Sequence, residues 1–170
     1  MARYVALLRA VNVGGTGGLR MTDLAALCRA AGFAEVETYI ASGNVVFAST
    51  SRAPAVKAEL EARLRAHVGR AIAVMVRTAA QMRAVLDANP FPGADPRRTY
   101  VIFLDARPPA DALHQAIGRN GEEMRLGGRE IYVQYPRGMG ASTLRIPAAQ
   151  SGTSRNMNTV ARLAAIAARR

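Results

Sequence analysis

Hydrophobic residues change their spacing repeatedly along this chain, and each change predicts an element. Residues 3–9 (RYVALLR) are apolar without alternation, the pattern of a strand covered on both faces. Leu24, Leu27, Cys28 and Ala31 then recur at helical spacing, which predicts a helix over 21–31 with Thr22 as N-cap and Gly32 as its stop. Two short runs of strand formers, 35–40 and 44–48, flank Ala41-Ser42-Gly43 and read as a hairpin. Val56, Leu60 and Leu64 share one face of a helix over 54–68, with Pro54 in its first turn. A fourth strand is expected over 71–77.

That order, β-α-β-β-α-β, is the ferredoxin-like split unit. A similar series then begins again. A connecting helix over 78–88 ends at Asn89-Pro90-Phe91-Pro92, and a strand follows over 99–104. Residues 109–117 predict a helix, and 122–126 with 129–135 a hairpin across Gly127-Gly128. A less regular stretch through Pro147 leads to a last helix over about 156–168, so the second half reads β-α-β-β-α. The expected fold class is α+β: two packed ferredoxin-like halves with mainly antiparallel sheets, residues 1–78 and 79–170.

Composition narrows the functional classes. A hydrophobic content of 50% with 21% charged residues belongs to a globular chain. One cysteine, Cys28, excludes an internal disulfide framework or a cysteine-based metal cluster, and its helical position makes it a core residue. No apolar run approaches the ~18 residues of a membrane span, and the first residues lack a leader's architecture, so a cytoplasmic location is expected.

The net charge of +11 changes the picture most. Lys57 is the single lysine, and arginine with abundant alanine suggests a GC-rich genome. That bias explains the choice of arginine but not the excess of positive charge. Such a field attracts nucleic acid, nucleotides and other anions. Scattered charges also serve plain solubility by self-repulsion, and both readings stand.

Topology says where polar residues should meet. In a β-α-β crossover the first two strands run parallel, so their carboxyl ends share one edge of the sheet. Arg9 and Asn12 follow the first strand, Ser42-Gly43-Asn44 follows the second, and the third strand pairs beside the first. These residues should therefore lie together. Gly14 and Gly15 precede the first helix, whose amino end with Arg20 would suit a phosphate or carboxylate. No GxxxxGK[ST] is present, and the GxGxxG spacing fails at Arg20, so glycines serving only as turn residues are the competing explanation. A second polar knot, Thr153-Ser154-Arg155-Asn156-Met157-Asn158-Thr159, lies where the last helix is expected to start. Capping accounts for one or two of these residues. Arg155 and Asn156 are expected to face the same cleft as Arg9.

Other chemistries find little support. His67 and His114 fall on separate predicted helices, and no His, Asp or Glu cluster has ligand spacing, so no metal site is expected. Ser42 has no histidine to activate it, and no nucleophile elbow is present. Asp23, Asp95, Asp105 and Asp111 sit at helix starts or turns, where capping explains them. The RNA-recognition topology is shared, but it needs exposed aromatics on its first and third strands. Tyr4 and Phe47 are the candidates there, and the first strand reads as buried on both faces.

The segments RYVALLRAVNVGG, TYIASGNVVF, NPFP ahead of a strand, REIYVQYPRG and TSRNMNTVARL carry a resemblance. On them the chain resembles the family catalogued as domain of unknown function 1697, uncharacterised bacterial proteins, from Arg3 to about Leu163. The resemblance implies an α+β fold of two similar subdomains and implies no activity. Arg9, Asn12, Gly14, Ser42, Gly43, Asn44, Arg155 and Asn156 match the family pattern. Ala10 replaces a usual glycine, Ala41 a frequent glutamine and Met157 a common tryptophan. Thr16-Gly17-Gly18 stands for a lysine-bearing stretch. The last two departures weaken any role for an aromatic platform or a loop lysine.

Three functional readings remain open. The first is a binding protein for an anionic ligand, a nucleotide or nucleic-acid backbone, held by Arg9, Arg20 and Arg155 with Asn12, Ser42 and Asn44. Gly14, Gly15, Gly43 and Asn156 complete the candidate site. The second is an enzyme acting on a small phosphorylated or nucleotide-like substrate in the same cleft, stabilising charge without a dedicated acid or base. The third is a structural arginine and asparagine network with no ligand. No catalytic residue and no cofactor is assigned.

Overall fold

The computed structural model describes residues 1–11 and 18–169. Its first half runs β1 (Ala2–Leu8), α1 (Met21–Ala30), β2 (Ala34–Thr38), β3 (Asn44–Ser49), α2 (Ala53–Val68) and β4 (Val74–Thr78). The four strands form one antiparallel sheet in the order β2-β3-β1-β4, the ferredoxin-like arrangement. Alternation along each strand sends Tyr4, Ala6, Leu8, Val45 and Phe47 to one face, where they meet Leu24, Cys28, Val56, Leu60 and Leu64 of α1 and α2. Val5 and Leu7 point the other way and are equally buried. Hence β1 is apolar from Tyr4 to Leu8, as its sequence indicated. Each fully buried leucine here contributes about 1.5–3 kcal/mol relative to an exposed one.

The second half comprises α3 (Ala79–Asp87), β5 (Thr99–Phe103), β6 (Glu123–Leu126), β7 (Glu130–Gln134), β8 (Thr153–Asn156) and α4 (Met157–Ala167). Its sheet order, β6-β7-β5-β8, repeats that of the first. The fold is α+β with two ferredoxin-like halves. By contacts the chain divides into two compact units, Met1–Met82 with the segment from Leu163 onward, and Arg83–Arg162. In the first unit, Arg3 on β1 donates to the carbonyls of Ala167 (3.1 Å) and Ile166 (3.2 Å) at the carboxyl end of α4. A guanidinium there adds a donor at the helix end, where the Ile166 carbonyl also accepts from the Arg169 N–H, and complements the helix dipole. Among the described residues no helix is long and apolar enough to cross a membrane.

Two elements of the second half differ from the expected string. The helix predicted over 109–117 is only a 3-10 turn, Ala112–Gln115. Ile117, needed for its apolar face, is instead bonded in both directions to Arg145 at 2.8 Å, which removes it from any helix. The second difference is β8 itself. Thr153 to Asn156 pair with Phe103 to Tyr100, so Arg155 and Asn156 lie on a fourth strand and the helix starts only at Met157. Four residues with caps and turns for neighbours are too short for periodicity to reveal a strand. Thr22 is not the N-cap of α1 either. Arg20 has extended backbone and takes that position without a side-chain cap bond.

Candidate functional site

The carboxyl end of β1 is built against the turn that opens β3. Leu7 stands opposite Asn44, and the Leu8 N–H donates to the Gly43 carbonyl at 2.9 Å. Gly43 has φ +90°, and an added Cβ would lie 2.5 Å from Val11 Cγ2 and 2.9 Å from Leu8 Cβ. Only glycine lets the turn come this close while holding that backbone conformation. Asn44 is fully buried, and its amide donates to the Tyr39 carbonyl and to Ser42 Oγ, both at 2.9 Å. It staples the turn from inside. Ser42 is half-buried at the rim.

Arg9 follows directly and is exposed, while its backbone N–H donates to the Ala73 carbonyl at 2.9 Å. Ala10 turns the chain at φ +56°. Its carbonyl accepts a long bond of 3.4 Å from Arg70, which is also exposed and precedes β4. Arg9, Arg70 and Ser42 thus share one sheet edge, assembled from three separate stretches of chain. Arg70 was missed by sequence reasoning, although a signal existed. Since β4 runs antiparallel beside β1, its start must lie at the end of β1.

Asn12, Gly14 and Gly15 lie outside the described residues. Arg20 is exposed, and its guanidinium is engaged in a two-point pair with Asp23 at 3.1 and 3.2 Å. His67 also approaches Asp23, at 3.8 Å. Arg155 and Asn156 belong to the second unit. Arg155 is buried, and Nη1 donates to Thr153 Oγ1 (2.6 Å) and to the Ser154 carbonyl (2.9 Å). Burial disfavours its charged form and brings its pKa down to about 10. Asn156 Oδ1 accepts from the Thr159 N–H at 3.0 Å, an N-cap of α4.

Tyr4 and Phe47 are buried beneath α1 and α2, with the Tyr4 hydroxyl donating to the Ser51 carbonyl at 2.7 Å. Base stacking on β1 and β3 is therefore closed off. Cys28 is fully buried, and desolvation pushes its thiol up to about 12. A thiol so held is neither nucleophile nor metal ligand at neutral pH. Among the described residues no group of three or more His, Cys, Asp or Glu side chains is placed to hold a metal ion.

No curated protein matches the chain. Among solved structures it is similar to the conserved bacterial protein SP0830 from Streptococcus pneumoniae, at 22% identity over 98% of both chains with a TM-score of 0.81. At that identity the likeness concerns the fold. Residues 1–132 match the family described as protein of unknown function (DUF1697), and with more than half its length so matched the chain belongs to that family.

Proposed function

We propose that this protein binds a phosphate-bearing ligand, a nucleotide or nucleic-acid backbone, at the edge formed by Arg9, Arg70 and Ser42. The observation that carries the reading is that Arg70 reaches the Ala10 carbonyl next to Arg9 in the chain, so that two exposed arginines about sixty residues apart meet at one edge. Forked guanidinium donors suit phosphate oxygens, and a half-exposed hydroxyl adds a directional partner. The excess charge of +11 supplies long-range attraction for the same class of ligand. Because these arginines stand on the surface, a backbone phosphate passing across them is favoured over an engulfed nucleotide.

A specific observation supports a different, structural role for Arg155, which is buried and donates to Thr153 Oγ1 and the Ser154 carbonyl of its own strand. Arg155 is accordingly left out of the proposed ligand set, and so is Arg20, whose charge is matched by Asp23.

The test is fluorescence anisotropy with labelled single-stranded and duplex oligonucleotides over a range of salt concentrations. Affinity is expected to fall linearly on a log–log scale, and Arg9→Ala with Arg70→Ala to weaken every sequence alike. Failure to bind any oligonucleotide at low salt sinks the backbone reading. A thermal shift with one nucleotide class, lost in Arg9→Ala, then selects the small ligand.

A further inference from the structure

The two sheets are covered unequally. In the first half, α1 and α2 with 10 and 16 residues lie over one face of the sheet. The corresponding connections of the second half are short 3-10 turns: Ala112–Gln115, and then Met139–Ala141 and Pro147–Ala149 between β7 and β8. Short turns cannot fill the space that full helices occupy. A hollow of about 300 Å³, open to solvent, remains over the second sheet.

Its floor includes Ile102 on β5 and Ser154 on β8, which stand opposite each other. Leu144, Arg145 and Ile146 from the irregular segment form a wall, and Tyr135 closes one end. At about 30 Å³ per water, the hollow has room for about ten waters. That is the lower end of the range for small-molecule sites.

Three side chains at this hollow, Tyr135, Ser154 and Arg145, make no side-chain hydrogen bond among the described residues. Tyr135 is only 7% exposed, its ring edge-on to Tyr100 at 5.5 Å between centroids. Among the described residues its hydroxyl has no hydrogen-bond partner, yet it is not sealed from solvent. Buried tyrosine hydroxyls ordinarily find a partner. Here the open space lies in this hollow and in a smaller one beside it, which Tyr135 also lines. The Ser154 hydroxyl likewise bonds no described residue. Arg145 is anchored by its two backbone bonds to Ile117, while its exposed guanidinium makes no ion pair among the described residues.

We propose that this hollow binds a small carboxylate with an apolar body. A single guanidinium fork matches a planar carboxylate in a two-point pair. Ile102, Leu144 and Ile146 receive the apolar part, and the Tyr135 and Ser154 hydroxyls orient the polar end. A dianionic phosphate fits less well. The hollow has one cation, and Glu122 in the adjoining hollow adds negative charge, its carboxylate held by the Asn120 N–H and the Ser142 hydroxyl. This site is separate in sequence and in unit from the edge at Arg9, and neither proposal depends on the other.

Amide NMR titration of the full chain with benzoate, phenylacetate and hexanoate tests it, with benzamide and phenyl phosphate as matched controls. Saturable shifts are expected at the amides of Ile102, Arg145 and Ser154, with benzamide markedly weaker. Arg145→Gln, a surface change, is expected to keep the dispersed spectrum and weaken benzoate about tenfold or more, the worth of one charge-assisted pair. Tyr135→Phe is expected to weaken it several-fold. The proposal is overturned by any of four results: no saturable shift at those amides, equal binding of benzamide, tighter binding of phenyl phosphate there, or unchanged benzoate affinity in Arg145→Gln.

Discussion

Arg77 and Arg155 occupy the same place in the two halves of the chain. Arg77 stands opposite Val5 across β1 and β4, and Arg155 opposite Val101 across β5 and β8. Each is buried, and each donates from Nη1 to the carbonyl of the residue before it, at 3.1 Å to Val76 and 2.9 Å to Ser154. The following residue in each case, Thr78 or Asn156, caps a helix by accepting from an N–H three residues on. A device present on the fourth strand of both sheets is explained by what both share, which is the fold. A ligand held by one half would not require its repetition in the other.

Removing the Arg155 side chain therefore acts on stability. Arg155→Ala removes the Nη1 donor to Thr153 Oγ1 and the Ser154 carbonyl and opens a cavity, so a loss of about 2–4 kcal/mol is expected. In a chain of this length that corresponds to roughly 4–16 °C in Tm. Arg155→Met retains the apolar stem and no longer buries a charge, and should lose much less. Urea unfolding of both variants measures the difference. Equal and small losses would show that the guanidinium's bonds contribute nothing.

The caps give a matched pair. Asn156→Ala and Thr78→Ala are each expected to cost about 1 kcal/mol, the usual worth of an N-cap. Thr78 has a further link, because Gln81 Oε1 accepts from the Thr78 N–H at 2.9 Å and completes a capping box. Gln81→Ala should accordingly lower stability as well, which thermal unfolding can check.

How far the fold could be read follows from where the periodicity is strong. Helices with three or more apolar residues on one face, such as Val56, Leu60 and Leu64, announced themselves. So did the sheet edge joining Leu8 to Gly43, because topology alone brings the ends of β1 and β2 together. The four residues of β8 did not, since Ser, Asn and Thr beside a helix read first as caps. Tertiary bonding decided the fate of 109–117, through the bridge from Ile117 to Arg145 that no local pattern encodes. The candidate site suffered from the same blindness. Arg70 came into it through the antiparallel partner of β1, and Arg155 left it once its strand placed it indoors.

Gly43→Ala tests the turn on which the N-terminal edge depends. The substitution forces a Cβ to within 2.5 Å of Val11 Cγ2 at a φ of +90°. Strain of that kind costs about 1–3 kcal/mol. Chemical denaturation should show this loss, and anisotropy should show weaker oligonucleotide binding as Arg9 and Ser42 shift. Unchanged stability would mean that the turn relaxes without disturbing β1.

Alkaline stability reports on Cys28. Its thiol titrates near 12 when folded against an ordinary value of 9.0. Between these values the unfolded chain has released a proton that the folded chain keeps, so stability is full below pH 9 and falls as pH rises toward 12. Replacement by an apolar residue of similar size, Cys28→Val, is expected to flatten that part of the profile. Thiol reagents at pH 8 should leave the native chain unlabelled and modify one cysteine per chain after unfolding.

Tyr4 separates the surface-arginine reading from base stacking. Its ring lies 6.1 Å from Phe47, which stacks on Phe33 at 4.3 Å, so the aromatic groups of this sheet face its own helices. Tyr4→Phe removes only the bond to the Ser51 carbonyl and is expected to cost about 1 kcal/mol of stability. Tyr4→Leu takes away the ring itself, and its oligonucleotide affinity should match the parent. The Arg9→Ala, Arg70→Ala double variant should instead lose affinity uniformly and reduce the salt slope by about 2, one for each phosphate contact. If Tyr4→Leu weakens binding as much as the double variant does, nucleic acid reaches the sheet face and the edge formed by the two arginines is not where it is held.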